Sequence, residues 1–219
     1  MTGKQHRIGL IRVLTTDDPD LLNVHGKLIE NSIPGLVVIS KCIPDQEKGI
    51  YSLETHRKAV PKILHMAKEM EKEGLAGVLI SCAGDPGLAE SKKTLKIPVV
   101  GAGKALALTA LMWGDKVGVL NLTEETPINI KEVLGKTLAA EESVDAENTV
   151  ELMQPGGMKK VINSCRLLRD RGTEVIALAC TGMSTIGASV EIKKHLGLKV
   201  IDPVIAEGIA MWSILNYSQ

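Results

Sequence analysis

The chain has 219 residues, of which 44% are hydrophobic, so it can bury a substantial core and is not expected to be disordered. Its net charge is zero and its basic residues are scattered, which argues against nucleic-acid binding because that function needs a basic footprint. No apolar run reaches the roughly 18–20 residues of a membrane-spanning helix, and the opening MTGKQHRIGL lacks a signal-peptide core. We therefore expect a cytoplasmic protein with reduced cysteines.

The first half of the chain alternates short apolar stretches with longer helical ones. This alternation predicts βαβ units and a parallel sheet, and strands this apolar suit a sheet that is covered on both faces. The predicted strands of this half are Ile8–Leu14, Leu36–Ser40, Gly77–Cys82 and Pro98–Val100. The predicted helices between them are Pro19–Asn31, Leu53–Glu73 and Pro86–Leu95.

The second half continues the same alternation after a predicted helix over Lys104–Trp113. The predicted strands of this half are Lys116–Asn121, Asn148–Met153, Glu174–Cys180 and Lys199–Ile201. The predicted helices that accompany them are Pro127–Ala139, Met158–Arg171, Ser184–Leu196 and Val204–Asn216.

The two halves show the same signals in the same order. The first strand runs into LTTDDP and the fifth into LTEETP, so that Pro19 and Pro127 each stand at a plausible first position of a helix. The third strand ends at Cys82 and the seventh ends at Cys180. This order indicates one structural unit that the chain contains twice.

The repeat predicts an α/β fold of two pseudo-symmetric Rossmann-like lobes, each a four-stranded parallel sheet flanked by helices. We expect residues 1–100 together with 204–219 to form the first lobe, and residues 101–203 to form the second. The active site is predicted to lie in the cleft between the lobes.

Cys82 and Cys180 are the leading candidates for chemistry. In parallel α/β sheets, ligands collect outside the carboxyl ends of the strands, which is where both residues are predicted. If the halves face each other across a pseudo-two-fold axis, the two thiols point into one cleft. Each thiol is also expected just before a helix N-terminus, whose partial positive charge would lower its pKa. A single such cysteine would be read as a small core residue, but two at matching positions of a repeat favour a function.

Two thiols on opposite sides of a cleft suit proton transfer at a carbon next to a carbonyl. One group removes a proton from one face of that carbon, and the other returns a proton to the opposite face. A thiol serves as both acid and base because its pKa lies close to neutrality. Helix termini and backbone N–H groups can stabilise the oxyanion that develops. The pattern therefore predicts racemisation or epimerisation.

The segments SCAGDPGL, IPVVGAGKA, LACTGMS and VIDPVIA resemble the aspartate/glutamate/hydantoin racemase superfamily. GIYSLETH (Gly49–His56) is similar to a loop of its hydantoin racemase branch. The resemblance extends over nearly the whole chain. It implies a racemase or epimerase that acts on a small amino-acid-derived molecule without a cofactor, uses Cys82 and Cys180 as its acid and base, and forms a homo-oligomer.

The resemblance also implies a set of substrate-binding groups beside the two thiols. These groups are Tyr51, Ala83, Gly84, Asp85, Thr181 and Gly182. The hydantoin branch carries an Asn-Pro-Asn-Thr turn after its first strand, whereas this chain has Arg12 and Leu14 at the two asparagine positions. It retains Thr15, which is therefore a further candidate.

Arg12 and Thr123 each allow two interpretations. A charged residue inside an apolar strand is costly to bury unless it is paired. Arg12 therefore forms an ion pair or reaches solvent, or else it binds a substrate carboxylate as a bidentate clamp. Thr123 follows the fifth strand, opposite Thr15. It binds a carboxylate or ring amide of the substrate, or it caps the next helix.

The other reactive side chains give no competing site. The five histidines are dispersed, no HExxH motif occurs and no cysteines have CxxC spacing, so no metal site is predicted. Cys42 and Cys165 are expected to be structural. The stretch GAGKAL (Gly101–Leu106) begins like a dinucleotide-binding fingerprint but lacks its third glycine and the acidic residue that follows.

Two other functions stay open at this point. One is a dicarboxylic-acid cis-trans isomerase or decarboxylase of the same superfamily, in which one cysteine acts alone. The other is a two-lobed protein that binds a small molecule as a sensor without catalysis.

Overall fold

A computed structural model describes residues 5–217 and contains two four-stranded parallel sheets. The strands of the first sheet are β1 (His6–Arg12), β2 (Leu36–Cys42), β3 (Val78–Ser81) and β4 (Val99–Gly101). They lie in the order β2-β1-β3-β4, with β1 paired in parallel to β2 and β3.

The strands of the second sheet are β5 (Val117–Asn121), β6 (Leu138–Ser143), β7 (Val175–Ala179) and β8 (Lys199–Ile201). They lie in the equivalent order β6-β5-β7-β8. The prediction of an α/β fold with two similar four-stranded parallel sheets is therefore confirmed. The central strands β3, β5 and β7 are buried along their whole length, as expected for sheets that helices cover on both faces.

Ten helices accompany the sheets in the part of the chain that the structure describes. They are α1 (Pro19–Ser32), α2 (Leu53–Lys72), α3 (Leu88–Thr94), α4 (Ala102–Leu111), α5 (Ile128–Leu134), α6 (Thr149–Leu152), α7 (Gly157–Asp170), α8 (Thr181–Thr185), α9 (Ala188–Leu196) and α10 (Pro203–Tyr217). Between residues 5 and 217, none of the helices has both the length and the apolar character needed to cross a membrane.

The sixth strand is the main difference from the sequence prediction. The predicted strand Asn148–Met153 is wrong, because this segment forms the short helix α6, with Asn148 as its N-cap. The strand is instead Leu138–Ser143, whose first two residues were expected to end the predicted helix Pro127–Ala139. That helix ends early, at Gly135, whose φ is +50°. The strand LAAEES carries no β-branched run, and it lies at the edge of its sheet, where Glu141 pairs with Lys131 and Glu142 pairs with Arg171.

The two lobes are joined by a common hydrophobic core. Its largest cluster combines Ile8 and Leu10 of the first sheet with Val117 and Val119 of the second. Helix α10 packs against α1, β3 and β4 of the first sheet and also against α4. The division into residues 1–100 plus 204–219 and residues 101–203 stays a prediction. Its residues 1–4 and 218–219 lie outside the described ones.

Gly103 allows a close backbone contact between the loop after β3 and helix α4. The Ala83 carbonyl oxygen, which belongs to the loop after β3, lies against the Cα of Gly103 in the first turn of α4. A Cβ at this position would collide with that carbonyl group and with the Asn129 side chain. The glycine pattern in GAGKAL is thus explained by packing between backbones.

We predict that Gly103→Ala lowers the free energy of unfolding by about 1–3 kcal/mol or more, because the backbone carbonyl cannot move as a flexible side chain would. Urea unfolding followed by circular dichroism measures the change. Lys104→Ala is the matched control, since Lys104 is exposed on the same turn, and it should stay within about 0.5 kcal/mol of the wild type. Equal stability of the two variants would contradict the close approach.

Candidate active site

A cavity of about 1030 Å³ opens where the carboxyl ends of the two sheets meet. The loops after β1, β3, β5, β6 and β7 line it, together with the beginning of α2. Cys82 and Cys180 are both among the lining residues. This position is the one that the repeat predicted, since each cysteine directly follows the third strand of its own sheet.

Cys82 begins a tight loop and does not lie at a helix start. The Asp85 backbone N–H donates to the Cys82 carbonyl oxygen (3.0 Å), and Asp85 has a φ of +48°. Helix α3 begins only at Leu88. The expectation that Cys82 lies just before a helix N-terminus is therefore wrong, because the chain first makes a complete turn.

Cys180 is the N-cap residue of the five-residue helix α8. The backbone N–H groups of Gly182 and Met183 and the side-chain hydroxyl of Thr149 act on its sulfur, and each favours the thiolate. Thr149 lies in the first turn of α6, in the segment that the sequence predicted to be a strand. Because this segment forms α6 and not a strand, it places the Thr149 hydroxyl beside the Cys180 sulfur.

Burial dominates the acidity of both thiols. Cys82 and Cys180 are 9% and 8% exposed. Desolvation raises the pKa of Cys82 to about 12, and the Gly84 N–H group only partly opposes it. Burial likewise raises the pKa of Cys180. The expectation that helix termini lower these pKa values is wrong, because the loss of hydration outweighs the nearby N–H groups.

The two cysteine segments contact each other directly. The Thr181 hydroxyl, next to Cys180, donates a hydrogen bond of 3.1 Å to the carbonyl oxygen of Ser81, next to Cys82. Both cysteines line the cavity, and negative charge on Cys180 contributes to the raised pKa of Cys82. Two thiols from equivalent turns therefore share one cavity.

A protein-family model described as "Asp/Glu/Hydantoin racemase" matches residues 25–207 of the chain. The chain belongs to this racemase family. The matched region includes both cysteine segments and every strand after β1.

Individual relatives agree with the family assignment. A hydantoin racemase of Pseudomonas sp. (strain NS671) is 27% identical over 164 residues, which cover 68% of this chain and 61% of that protein. A hydantoin racemase of Rhizobium meliloti is 28% identical over 156 residues, covering 68% and 64%. The chain thus aligns with less than two thirds of the length of either protein. The structure of an allantoin racemase from Klebsiella pneumoniae superposes with a TM-score of 0.87 at 23% identity, covering 98% of this chain and 89% of that chain, which shows a shared fold.

Five of the predicted substrate-binding residues line the cavity of this family member. They are Tyr51, Ala83, Gly84, Thr123 and Thr181. The hydroxyl of Thr123 donates to the Glu125 carbonyl oxygen (3.1 Å), and α5 begins with Pro127 as its N-cap, so Thr123 does not cap that helix. Of the two interpretations of Thr123, the helix cap is therefore excluded. Thr123 lines the cavity wall, and its binding of a substrate stays a prediction.

The prediction that Arg12 clamps a substrate carboxylate conflicts with its position. Its guanidinium group donates to the carbonyl oxygens of Leu21 and Leu22 in α1, and Arg12 does not line the cavity. Burial lowers the pKa of Arg12 to about 10, while the charge of Glu207 acts in the opposite direction. The side chain points into the interior of the protein, where α1 supplies its hydrogen-bond acceptors.

Thr15 and Gly182 support the site without lining it. The Thr15 hydroxyl donates to the Ile43 carbonyl oxygen (2.6 Å) and accepts from the Gln46 N–H (2.7 Å), so it joins the loops after β1 and β2. Gly182 lies under Cys180, and a Cβ there would be 3.3 Å from the Cys180 sulfur.

Asp85 also does not line the cavity. Its side chain instead joins the loop after β3 to helices α4 and α5. Its carboxylate accepts from the backbone N–H groups of Gly103 and Lys104 (2.8 Å each) and from the Asn129 side-chain amide (2.7 Å). Asn129 also donates to the Ala83 carbonyl oxygen (2.9 Å). The loop that carries Cys82 is thereby fixed to α4 and α5.

Two of the lining side chains, Asn129 and His56, were not predicted from the sequence. His56 was counted among the dispersed histidines, but a Cβ built at Gly84 would lie 3.4 Å from its Nδ1 and 3.9 Å from the Cys82 sulfur. Asn129 lies at the beginning of α5 and faces a loop 44 residues earlier in the chain. For His56 the available signal was its place in the GIYSLETH segment. For Asn129 the sequence contained no signal.

We predict that Asp85 makes the stability of the protein depend on pH between about 4 and 6. Burial raises the pKa of Asp85 to about 6 from a reference value of 3.8. The folded form therefore takes up the proton first as the pH falls, so Asp85 contributes more stability below pH 4 than above pH 6. The difference is at most about 3 kcal/mol.

Urea unfolding of the wild type and of Asp85→Asn at pH 4 and pH 7 measures this effect. The wild type should gain stability relative to Asp85→Asn as the pH falls, because the asparagine does not titrate. Asp17→Asn, at an exposed position, keeps Asp85 and is the control, so its stability should change with pH as that of the wild type does. A wild type that loses stability relative to Asp85→Asn on acidification would contradict a raised pKa.

Proposed function

We propose that the protein is a cofactor-independent racemase or epimerase of small amino-acid-derived substrates, with Cys82 and Cys180 as its two acid/base groups. One observation carries this proposal: thiols from equivalent turns of the two lobes line the same cavity. Membership in the Asp/Glu/hydantoin racemase family supports the same reaction class.

The proposed step transfers two protons at one carbon. The thiolate of one cysteine removes the proton from the carbon next to a carbonyl group, and the C–H electron pair moves into that carbonyl to give a planar enolate. The thiol of the other cysteine then donates its proton to the opposite face. The carbon is inverted, and the two cysteines have exchanged their protonation states. In the reverse direction the two residues exchange roles.

The raised pKa values suit this step. A carbon acid next to a carbonyl group is weak, so a thiolate that is a strong base removes its proton more readily. The N–H groups of Gly84, Gly182 and Met183 act on the two sulfurs and favour the thiolate when it forms. Backbone N–H groups of this kind stabilise developing negative charge without reorganisation.

The charges around the cavity favour a substrate without a carboxylate. Four exposed carboxylate residues line it, and among residues 5–217 no lysine or arginine does. The four are Glu124, Glu125, Asp145 and Glu147. A dianionic substrate would be repelled by this wall. We therefore propose a neutral ring, such as a 5-substituted hydantoin or a ureide like allantoin, in agreement with the names of the relatives. The same wall disfavours aspartate, glutamate and the dicarboxylic acids of an isomerase or decarboxylase.

Deuterium incorporation at the reacting carbon in D₂O tests the reaction. The panel contains both enantiomers of 5-substituted hydantoins, allantoin, aspartate and glutamate, each followed by NMR and polarimetry. We expect exchange with inversion for a neutral ring compound. Cys82→Ser and Cys180→Ser should each lose about 10²–10⁴-fold in racemisation, because a hydroxyl group is a far weaker acid than a thiol and is almost never ionised near neutral pH.

Cys42→Ser is the matched control, since Cys42 lies outside the cavity, and it should retain full activity. Full racemisation by either cavity variant would refute the two-thiol assignment. Binding of these compounds without exchange in the wild type would favour the sensor over the enzyme.

The pH dependence of the rate gives a second test. Because burial raises the pKa of Cys82 to about 12 and also raises that of Cys180, the thiolate is the minor form at neutral pH. We expect kcat/KM to rise between about pH 7 and pH 9, approaching a tenfold increase per unit where a single deprotonation limits the rate. A profile that is flat over this interval would argue against a buried thiolate base.

A further inference from the structure

His25 is a fully buried histidine that has no part in the sequence predictions or in the proposed reaction. It lies on α1 and is 1% exposed. Its Nδ1 is 2.9 Å from the Ser81 hydroxyl, and its Nε2 is 2.9 Å from the Thr185 hydroxyl. Both ring nitrogens are thus engaged, one with β3 of the first sheet and the other with α8.

The two partners of His25 belong to the two thiol-bearing segments. Ser81 is the last residue of β3 and directly precedes Cys82. Thr185 is the last residue of α8, whose N-cap is Cys180, and its hydroxyl also lies 3.5 Å from the Thr181 carbonyl oxygen. The imidazole therefore spans the junction between the lobes directly behind the thiols.

We propose that His25 is a positioning residue that sets the separation and orientation of the Cys82 and Cys180 segments. This inference rests on the proposed two-thiol reaction but concerns a residue that does not line the cavity. The Ser81–His25–Thr185 contacts form a histidine bridge between the segments. The Thr181 hydroxyl adds a second, direct link, because it donates a hydrogen bond to the Ser81 carbonyl oxygen. Together these contacts connect the segments across the junction.

The bridge requires a neutral imidazole. A neutral ring donates through one nitrogen and accepts through the other, and the two hydroxyl groups can each take the complementary role. Burial, together with the nearby charge of Arg12, lowers the pKa of His25 well below its usual value, so the ring stays neutral. Arg12 also donates to carbonyl oxygens of α1, one turn before His25, and so helps to hold the helix that carries it.

Two-sided proton transfer is sensitive to this geometry. Both sulfurs must reach the same carbon from opposite faces, whereas substrate binding depends mainly on the rest of the cavity. A displacement of about 1 Å at a reacting group costs about 10²-fold in rate. A loosened bridge should therefore lower kcat much more than it changes KM, and it should do so in both directions of the reaction.

The first test compares His25→Phe, which keeps a ring but no hydrogen bonds, with His25→Gln, which keeps a donor and an acceptor. We expect His25→Phe to lose about 10²-fold in kcat in both directions, with KM changed by less than about twofold. His25→Gln should recover part of the loss. Thr185→Val removes one partner while keeping the side-chain shape, and it serves as a second variant if His25→Phe does not fold. Unchanged kcat in folded His25→Phe or Thr185→Val would overturn the inference, as would equal losses in His25→Phe and His25→Gln.

The second test does not depend on catalysis. 1,3-Dibromoacetone alkylates two thiolates in turn, each sulfur displacing one bromide, and so links cysteines across a short fixed span. We expect the wild type to form a Cys82–Cys180 link, identified by peptide mass spectrometry, and His25→Phe to form mostly single adducts. The reaction is run with excess reagent at about pH 9, where the thiolate is less scarce than at neutral pH, because burial raises the pKa of both thiols. Under these conditions, the same link fraction in both proteins would overturn the inference, and so would the absence of a link in the wild type.

The two tests separate the two proposals. A link that forms in the wild type and is lost in His25→Phe supports the positioning role even if no compound in the panel is racemised. In that case the proposed reaction would fail while the inference about His25 would stand.

Discussion

The carboxylate of Asp85 is the interaction on which the geometry of the site depends. It gathers two backbone N–H groups of α4 and the Asn129 amide around a single buried side chain. Because these donors belong to α4 and α5 and the carboxylate belongs to the loop after β3, the loop bearing Cys82 cannot shift without breaking several hydrogen bonds at once. Gly103 makes this arrangement possible, since only a residue without Cβ admits the Ala83 carbonyl oxygen.

Much of the fold could be predicted from the sequence because its signals are local and occur twice. Buried parallel strands are recognised as short apolar runs, and a proline near the first turn of a helix marks where that helix begins. The two cysteines were found for the same reason, as matching positions at the ends of equivalent strands. The sixth strand was missed because LAAEES has the composition of a helix, and only pairing with β5 makes it a strand.

The site could be predicted only in part, because side-chain direction and burial are tertiary properties. Asp85 follows Cys82 so closely that a role in the cavity was natural, yet the positive φ of Asp85 turns its carboxylate toward α4. Arg12 was recognised as unusual, but its acceptors are main-chain oxygens of α1, which no sequence pattern marks. The thiol pKa values were predicted in the wrong direction because nearby N–H groups were counted while the depth of burial was unknown.

The burial of the two thiols has a consequence for the handling of the protein in air. Oxidants and alkylating agents attack the thiolate, and sulfenic acid formation follows thiolate character and exposure. Desolvation raises the pKa of both cavity cysteines, and each is less than a tenth exposed. Cys42 is the most exposed of the four cysteines, so accidental oxidation should begin at its sulfur and spare the cavity pair during purification and storage.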